Sequence, residues 1–570
     1  MIIIEKLKKA QNLQKQRLFA EAESIYKKII DHDKNNFDAN IGLSIVYFLT
    51  NKISISINLL EELIKIYPDR IEAYNNLSNI LISQNKYEKA IQYLLVAYKI
   101  DKNNIKNLEN LFFLYFKKNN FIEAKKYAKL GISLNIKNSF IYNVLGQVFF
   151  KENEIQKSIT NFKLSIKNNV LFWPAYDNLL TTYEQVNNLH DFNEVLLQAN
   201  KLFINSQNLV RLKYFQALLL FRNNDFTKSI NLLEKIKDKV NIKHHQSFYY
   251  LLGKNYDKIK KYDLAFKNFS KSNESILNLD ENKKFNKKIL LDLIEGYIKY
   301  FVKDNINQYD LFDKIDNYID PVFLLGFPRS GTTLLDTILR THSQTIVLEE
   351  KPYISNIRDE FFQSNDGLIN SLEKIKFTQI KNIRKNYFKN IEYFDHKNSS
   401  KIIIDKLPLN IIEIGFIRRI FPKSKFILMM RHPYDSILSC FITDFKINDA
   451  MIHFLNLNDT ANLFNQVFIL WKQYVDNLNL KFHLIKYEDL IYNFDDSIKS
   501  LLYFLDIKWE DNLKFFNRTA TLRDKINTPS YSQVIKPLNA NSVARWKNYK
   551  EVEQVKDKIK FWIKYFNYPN

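Results

Sequence analysis

The sequence predicts two architectures in one chain, an N-terminal all-α repeat solenoid and a C-terminal α/β domain with a mostly parallel sheet. The first prediction rests on a 34-residue period in the N-terminal half. The second rests on short β-branched runs that alternate with helical segments beyond Pro321. Proline usage separates the two parts, because only Pro68 and Pro174 of the eleven prolines lie before residue 320.

Small residues mark the N-terminal period. They recur 34 positions apart, and an apolar residue stands three positions before each of them. The small residues are Ala22, Ser56, Ala90, Ala124 and Ser158, and the apolar ones are Phe19, Ile53, Tyr87, Phe121 and Ile155. This pattern is typical of tetratricopeptide repeats, in which small side chains let the two helices of a hairpin pack closely. We count about eight repeats over residues 5–275.

The change of pattern sets the predicted domain boundaries. Residues 1–280 form the solenoid, residues 281–317 a helical connector, and residues 318–570 the α/β domain. Helical-repeat solenoids present a concave surface to extended peptides or partner helices. We therefore expect the solenoid to bind a peptide or protein, either the substrate or a separate partner.

The chain is strongly basic, with a formal net charge of +22. Lysine supplies 70 of the 84 basic residues, which indicates a general compositional bias rather than an arginine patch. We therefore do not expect nucleic-acid binding, although anionic substrates or acidic peptides suit this charge.

Cysteine usage and hydropathy suggest the compartment. The chain has one cysteine, Cys440, so no disulfide can form within it. The apolar run at the N-terminus is too short for a signal peptide, and no uncharged apolar stretch reaches about 18 residues. We expect a cytoplasmic, bacterial protein without a membrane span.

Five short apolar runs predict the strands of the C-terminal sheet. They are Val322–Leu325, Ile346–Leu348, Ile402–Ile404, Lys425–Met430 and His483–Ile485. Ligands of such sheets bind at the carboxyl ends of the strands. The polar residues that follow these runs are therefore the candidate site residues.

The first strand runs into a loop that suits a phosphate group. Gly326 and Gly331 have the spacing of a nucleotide-binding P-loop, and a helix is predicted to start near Thr332. Free amide groups at such a helix start bind anions. Thr332 stands where ATPases and kinases place a lysine, and the cation within the loop is Arg329. The loop thus favours a nucleotide without a γ-phosphate over a kinase or ATPase substrate.

The segment Phe327-Pro-Arg-Ser-Gly-Thr-Thr-Leu334 resembles the 5′-phosphosulfate loop of sulfotransferases that use 3′-phosphoadenosine 5′-phosphosulfate (PAPS). The similarity extends over residues 318–550 and is greatest to the tyrosylprotein sulfotransferase type. It implies a P-loop-like domain with PAPS as co-substrate and without a metal.

The resemblance also implies which residues bind the nucleotide. Arg431, at the end of a strand, and Ser439, two helical turns later, match the pair that holds the 3′-phosphate. Tyr487, Lys536 and Arg545 match nucleotide-contacting positions, with Arg545 standing where that type has lysine. The residues expected at the 5′-phosphosulfate are Arg329, Ser330, Gly331, Thr332, Thr333 and Leu334.

The catalytic residues are implied in the same way. Glu350, 21 residues after Arg329, matches the general base, and Glu349 is the alternative. A base is needed because the pKa of a tyrosine hydroxyl is about 10. Lys406 matches the cation that stabilises the bridging oxygen, a role that Arg329 shares, and Ser530 matches a catalytic serine.

The resulting hypothesis is a PAPS-dependent sulfotransferase whose acceptor is a peptide or protein tyrosine. A glycan or small-molecule hydroxyl is the alternative acceptor, and a non-catalytic tetratricopeptide scaffold is the alternative function. The oligomeric state, a dimer included, is open at this point.

Overall fold

The computed structural model describes residues 2–134, 138–279, 282–302, 315–316, 318–363, 372, 375–391, 401–521 and 537–569. The chain divides into two compact units, Met1–Phe215 and Gln216–Asn570. Within the described ranges, no helix combines the length and the apolar character needed to cross a bilayer.

The first unit is all-helical. Its helices pair in chain order as antiparallel hairpins, and its last helix, α13, continues into the second unit. The helices are α1 (Ile2–Lys15), α2 (Phe19–His32), α3 (Phe37–Leu49), α4 (Ile53–Ile66), α5 (Ile71–Ser83), α6 (Tyr87–Ile100), α7 (Ile105–Lys117), α8 (Phe121–Ser133), α9 (Ser139–Lys151), α10 (Ile155–Asn168), α11 (Trp173–Gln185), α12 (Leu189–Phe203) and α13 (Leu209–Arg222).

The small residues of the 34-residue period are all fully buried where the two helices of a hairpin meet. Where the small residue is serine, its hydroxyl donates to a carbonyl of the preceding helix. Ser56 Oγ lies 2.7 Å from Ser44 O, and Ser158 Oγ lies 2.7 Å from Gly146 O. A Cβ at Gly146 would lie 2.5 Å from the ring of Phe162, so the helices can approach only with glycine there. The close packing that the period predicts is therefore present.

A left-handed residue joins the two helices of each hairpin. In the first unit the φ angles of these residues lie between 56° and 65°. They are Arg17, Asn51, Asn85, Asn119, Asn153 and Asn187. Asparagine tolerates this conformation better than most residues, which explains why it recurs at the turn.

The second unit begins with more helices of the repeat type and continues into an α/β domain. The early helices are α14 (Phe226–Ile236), α15 (His245–Lys258), α16 (Tyr262–Leu277) and α17 (Lys287–Tyr300). The strands are β1 (Val322–Gly326), β2 (Thr345–Glu349), β3 (Ile402–Lys406), β4 (Phe426–Met430) and β5 (Phe482–Lys486). The later helices are α18 (Thr332–Thr341), α19 (Tyr353–Gln363), α20 (Phe377–Asn390), α21 (Ile414–Ile420), α22 (Pro433–Phe441), α23 (Leu457–Asn477), α24 (Tyr487–Tyr492), α25 (Phe494–Leu505), α26 (Phe516–Thr521) and α27 (Lys556–Tyr565).

The five strands form one parallel sheet in the order β2-β3-β1-β4-β5. The all-α part followed by an α/β domain with a parallel sheet confirms the predicted fold class. β3 is two residues longer than its apolar run, so Asp405 and Lys406 belong to the strand itself. β1 and β4 are buried along their whole length, as expected of central parallel strands.

Helices α16 and α17 pack on the α/β part of the second unit. Phe266 stacks on Phe441 of α22 at 4.9 Å between ring centroids. Asn273 Nδ2 donates to the Phe441 carbonyl at 3.0 Å, and the buried Tyr297 hydroxyl donates to Glu413 Oε2 at 2.8 Å. These helices are therefore part of the core that supports α22, one of the helices that frame the candidate site.

Candidate functional site

The loop between β1 and α18 follows a tight path that requires glycine at position 331. Gly331 has a φ of +107°, a conformation that side chains rarely adopt. A Cβ there would lie 2.7 Å from both Met429 Cε and Tyr487 Cδ2. The close approach of Tyr487 thus places the start of α24 directly against the loop.

The polar side chains of this loop are suited to an anion. Ser330, Thr332 and Thr333 are buried, and the first amide groups of α18 have no partner within the helix. Ser330 Oγ has no hydrogen-bond partner among the described residues. A buried hydroxyl of this kind, beside a helix N-terminus, fits a phosphate or sulfonate oxygen. Leu334 is also buried and packs in the core under the sheet.

The structure brings together three of the predicted site residues, Arg329, Arg431 and Ser439. Arg329 Nε donates to Ser439 Oγ at 3.1 Å, and Arg431 Nη1 donates to the Arg329 carbonyl at 3.3 Å. Burial lowers the pKa of the Arg329 guanidinium below its ordinary value. Two arginines and a hydroxyl at the carboxyl edge of a parallel sheet are an arrangement suited to an anion.

Arg431 also contacts the C-terminal segment. Its Nη2 donates to the Ser542 carbonyl, and its guanidinium lies over the Tyr487 ring at 5.2 Å from the centroid. Arg431 Nε is buried without a hydrogen-bond partner in the part of the chain that the structure describes. Burial raises the pKa of the Tyr487 hydroxyl. Tyr487 therefore lies between the loop and Arg431.

The C-terminal segment is held on α22 by Trp546. Its indole packs against the rings of His432 and Tyr434, with centroids 5.2 Å and 4.5 Å away, and its backbone amide donates to Asp435 Oδ1 at 2.8 Å. Arg545, the preceding residue, pairs with Asp257 of α15 at 2.7 Å. Arg545 is thus bound to a helix of the repeat type in this structure. Ser530 and Lys536 lie outside the described residues.

A second cluster forms where β3 and β2 end. Lys406 Nζ lies 2.7 Å from Glu350 Oε1 and 3.3 Å from Asp336 Oδ2. Asp336 also pairs with Arg340, one turn later in α18. The side chains of Lys406 and Asp336 are fully buried, whereas the Glu350 side chain is 29% exposed.

The sheet register explains this cluster. Lys406 of β3 lies opposite Leu324 of β1 on one side and Glu349 of β2 on the other. The chain then turns at Glu350, which has a φ of +44° and whose amide donates to the Lys406 carbonyl at 2.8 Å. This turn directs the Glu350 carboxylate back to Lys406.

Asp405 and Tyr387 form a separate buried pair next to this cluster. The Tyr387 hydroxyl donates to Asp405 Oδ2 at 2.8 Å. Burial raises the pKa of the Asp405 carboxyl to about 7. Asp405 therefore changes its charge in the neutral range while its neighbour Lys406 faces Glu350.

Sequence reasoning did not identify Asp336 or Asp257 as site residues. Asp336 carried a usable signal, because it stands with Arg340 in the apolar stretch of a helix that is buried on nearly all sides. A charged residue in such a stretch needs a partner. Asp257 lies in α15, 288 positions before Arg545 in the sequence, and no sequence pattern near either residue indicates that the two form a pair.

One group of side chains within the described ranges has the spacing to hold a metal ion. It consists of His190, Asp191 and Glu194 on α12, in the first unit. His190 and Glu194 are exposed, and the group has no connection in sequence to the predicted site residues.

Comparison with known proteins decides the domain type. A model of the sulfotransferase family matches residues 321–511, which include the loop, β1 to β5, Glu350, Lys406 and Arg431. This part of the chain is a sulfotransferase domain. Models of the tetratricopeptide repeat match residues 13–80 and 71–104, so the N-terminal helices are tetratricopeptide repeats.

Relatives of the chain include sulfotransferases of one named specificity. An uncharacterized protein of Aquifex aeolicus is 25% identical over 53% of this chain and 39% of its own length. Protein-tyrosine sulfotransferase A of Caenorhabditis elegans is 27% identical over 40% of this chain and 60% of its own. Protein-tyrosine sulfotransferase 2 of Gallus gallus is 24% identical over 40% of this chain and 62% of its own length. The chain thus spans less than two thirds of the length of each of these relatives.

Proposed function

We propose that the chain transfers a sulfuryl group from PAPS to the hydroxyl of a peptide or protein tyrosine. The observation that carries this proposal is the Lys406–Glu350 ion pair at the carboxyl edge of the sheet, in the same domain as a phosphate loop that contains Arg329. Sulfuryl transfer needs a base for the acceptor hydroxyl and cations for the leaving oxygen. The cluster offers one of each in direct contact.

The donor would be held by two sets of residues. Ser330, Thr332 and Thr333, with the amide groups at the start of α18, would bind the 5′-phosphosulfate. Arg431 and Ser439 would bind the 3′-phosphate, with Tyr487 beside them. The buried, unpartnered atoms Ser330 Oγ and Arg431 Nε, among the described residues, support this fit. Lys536 and Arg545 are further proposed contacts.

Glu350 would accept the proton of the acceptor hydroxyl as that oxygen bonds to sulfur. Lys406 and Arg329 would stabilise the negative charge on the oxygen that departs when the sulfur–oxygen bond to the phosphate breaks. The donor supplies an activated sulfuryl group, and 3′,5′-adenosine bisphosphate is the second product. Glu350 suits the role of base because it is the more exposed of the two carboxylates at Lys406. Ser530 is the proposed fourth catalytic residue.

The tyrosine acceptor rests on two considerations. Relatives of the sulfotransferase domain are named protein-tyrosine sulfotransferases. Tetratricopeptide repeats commonly bind polypeptides, so the repeats would recruit a peptide or protein substrate. A glycan or a small-molecule hydroxyl would use the same donor site and the same base.

The test is transfer of labelled sulfate from PAPS to protein, followed by hydrolysis and identification of sulfotyrosine. We expect the Glu350→Gln protein to lose transfer by about 100-fold or more. It should bind 3′,5′-adenosine bisphosphate as well as the unchanged protein does. Glu295→Gln is the matched control, since Glu295 also pairs with a lysine but lies exposed on α17. Its transfer rate should not change.

The outcomes separate the alternatives. Label in glycans or small molecules would support the proposed sulfotransferase activity and reject tyrosine as the acceptor. Full activity of Glu350→Gln rejects the assigned base. Absence of both transfer and adenosine bisphosphate binding rejects the enzyme and favours a tetratricopeptide scaffold.

A further inference from the structure

Lys406 lies between two carboxylates that differ in their surroundings. Asp336 approaches its ammonium from α18 and is completely buried. Glu350 approaches from the end of β2 and is partly exposed. Only Glu350 is therefore placed to meet an acceptor that arrives from solvent, whereas Asp336 is enclosed with the lysine.

Asp336 is itself held in place. One carboxylate oxygen pairs with Arg340 and the other faces Lys406. Asp336 and Arg340 are four residues apart on α18, so the helix fixes their geometry. α18 starts in the phosphate loop, and Asp336 thus connects that loop rigidly to the end of β3.

The charges of the cluster explain why a second carboxylate is useful. Lys406 and Arg340 are balanced by Asp336 and Glu350 when all four are ionised. When Glu350 takes a proton, Lys406 loses one of its two counter-charges. A buried ammonium without a counter-charge is costly and releases its proton more readily.

We propose that Asp336 is a positioning residue that keeps Lys406 charged and in place while Glu350 is protonated. This inference rests on the proposed function, in which Glu350 is the base and Lys406 stabilises the leaving oxygen. Two further ionisable groups neighbour Lys406 among the described residues: Asp405, whose carboxylate accepts from Tyr387, and Glu349, which lies opposite Lys406 in the sheet.

The first test compares Asp336→Asn with Asp336→Glu in sulfate transfer. We expect Asp336→Asn to lower kcat by about tenfold or more, with little change in KM for the acceptor or in the Kd of 3′,5′-adenosine bisphosphate. Asp336→Glu, which keeps the counter-charge for Lys406, should restore part of kcat.

The matched control is Asp506→Asn. Asp506 pairs with Lys425 at 2.5 Å in the same domain, but its side chain is 82% exposed. This variant should keep both kcat and KM. An Asp336→Asn protein whose lower kcat follows only its folded fraction, with no recovery of kcat in Asp336→Glu, overturns the proposal.

A second measurement does not depend on activity. We expect Asp336→Asn to lower Tm less in a Lys406→Met background than in the unchanged protein, because the uncompensated lysine is then gone. Simple additivity of the two Tm losses would show that Asp336 does not hold Lys406. If the unchanged protein transfers no sulfate, the proposed function fails. The comparison of the Tm losses with and without Lys406→Met still decides whether Asp336 holds Lys406.

Discussion

Asp405 and Lys406 are neighbours in sequence and both are buried, yet they meet different partners. Lys406 contacts two carboxylates, whereas Asp405 contacts the neutral hydroxyl of Tyr387. Without a cation beside it, the Asp405 carboxyl is governed by desolvation, which raises its pKa from 3.8 to about 7. The alternation of side chains along a strand is what separates the two environments.

This raised pKa predicts how stability depends on pH. The folded state binds a proton at Asp405 more tightly than the unfolded state does, so folding should lose stability as pH rises from about 4 to about 7. Asp405→Asn removes the ionisation. We expect the variant to be more stable than the unchanged protein at pH 8 by a few kcal/mol, measured as the free energy of unfolding of the second unit.

Measurements at pH 4.5 provide the control for Asp405→Asn. Asp405 is mostly protonated there in the folded protein, and the two proteins should have similar stabilities. An advantage of the variant that is equal at pH 4.5 and pH 8 would show that packing, and not ionisation, sets the difference.

Among the helices and segments, the C-terminal segment and α15 together support the part of the candidate site around Arg431. Asp257 of α15 accepts from Arg545 at 2.7 Å and from the Tyr549 hydroxyl at 2.6 Å. Trp546, which lies between Arg545 and Tyr549 in the sequence, packs on α22. The carbonyl of Ser542, three residues before Arg545, accepts from Arg431. Asp257 therefore anchors the segment that meets Arg431.

We predict that Asp257→Asn weakens binding of 3′,5′-adenosine bisphosphate by about tenfold, because the loss of a charged partner frees the segment. Isothermal titration calorimetry measures this Kd. Asp263→Asn is the matched control, since Asp263 pairs with Lys550 at 3.0 Å with both side chains largely exposed. Equal Kd values for the two variants would contradict the anchoring role of Asp257.

The turns within the repeat hairpins have a sequence signal of their own, a periodic asparagine, on which the predictions above did not rest. Asn51, Asn85, Asn119, Asn153 and Asn187 share the 34-residue spacing, and all adopt the left-handed conformation. Each stands five residues before a small or aromatic residue of the second helix. The asparagine period thus locates the hairpin turns as clearly as the small residues locate the helix contacts.

At the scale of the whole molecule, the compact units and the proposed sequence domains divide the chain at different places. The second compact unit starts at Gln216, whereas the proposed α/β domain starts at residue 318. The helices in between contribute buried groups, among them Tyr297, Tyr300 and Phe301, to that unit. Phe301 lies so close to Gly415 that a Cβ there would be 2.0 Å from its ring.

These contacts predict the behaviour of two fragments. Residues 216–570 should give a monodisperse protein with a cooperative melting transition. Residues 318–570 should aggregate, because they expose the surfaces that α16 and α17 cover. Size-exclusion chromatography measures whether each fragment is monodisperse, and thermal melting measures whether it unfolds cooperatively. A folded 318–570 fragment with the Tm of the longer one would support residue 318 as the boundary of an independent domain.

Local sequence patterns were enough to predict the two architectures, the five strands and the strand–loop–helix unit at Gly326–Thr332. These features follow from local patterns: the 34-residue period, the apolar runs, and glycine spacing between a strand and a helix start. The positions of Arg329, Glu350, Lys406 and Arg431 were also visible, because Lys406 is the last residue of a strand and the other three follow the end of one. Their proposed roles came from resemblance and await the experiments above.

The contacts between side chains that are distant in sequence became known from the three-dimensional structure. The partnership of Lys406 with Asp336 depends on the register of β1 and β3 and on the rotation of α18, and that of Arg545 with Asp257 joins residues 288 positions apart. The pKa of Asp405 likewise depends on burial beside Tyr387. Electrostatic energies depend on distance and desolvation, and these are fixed by packing between distant segments rather than by local sequence.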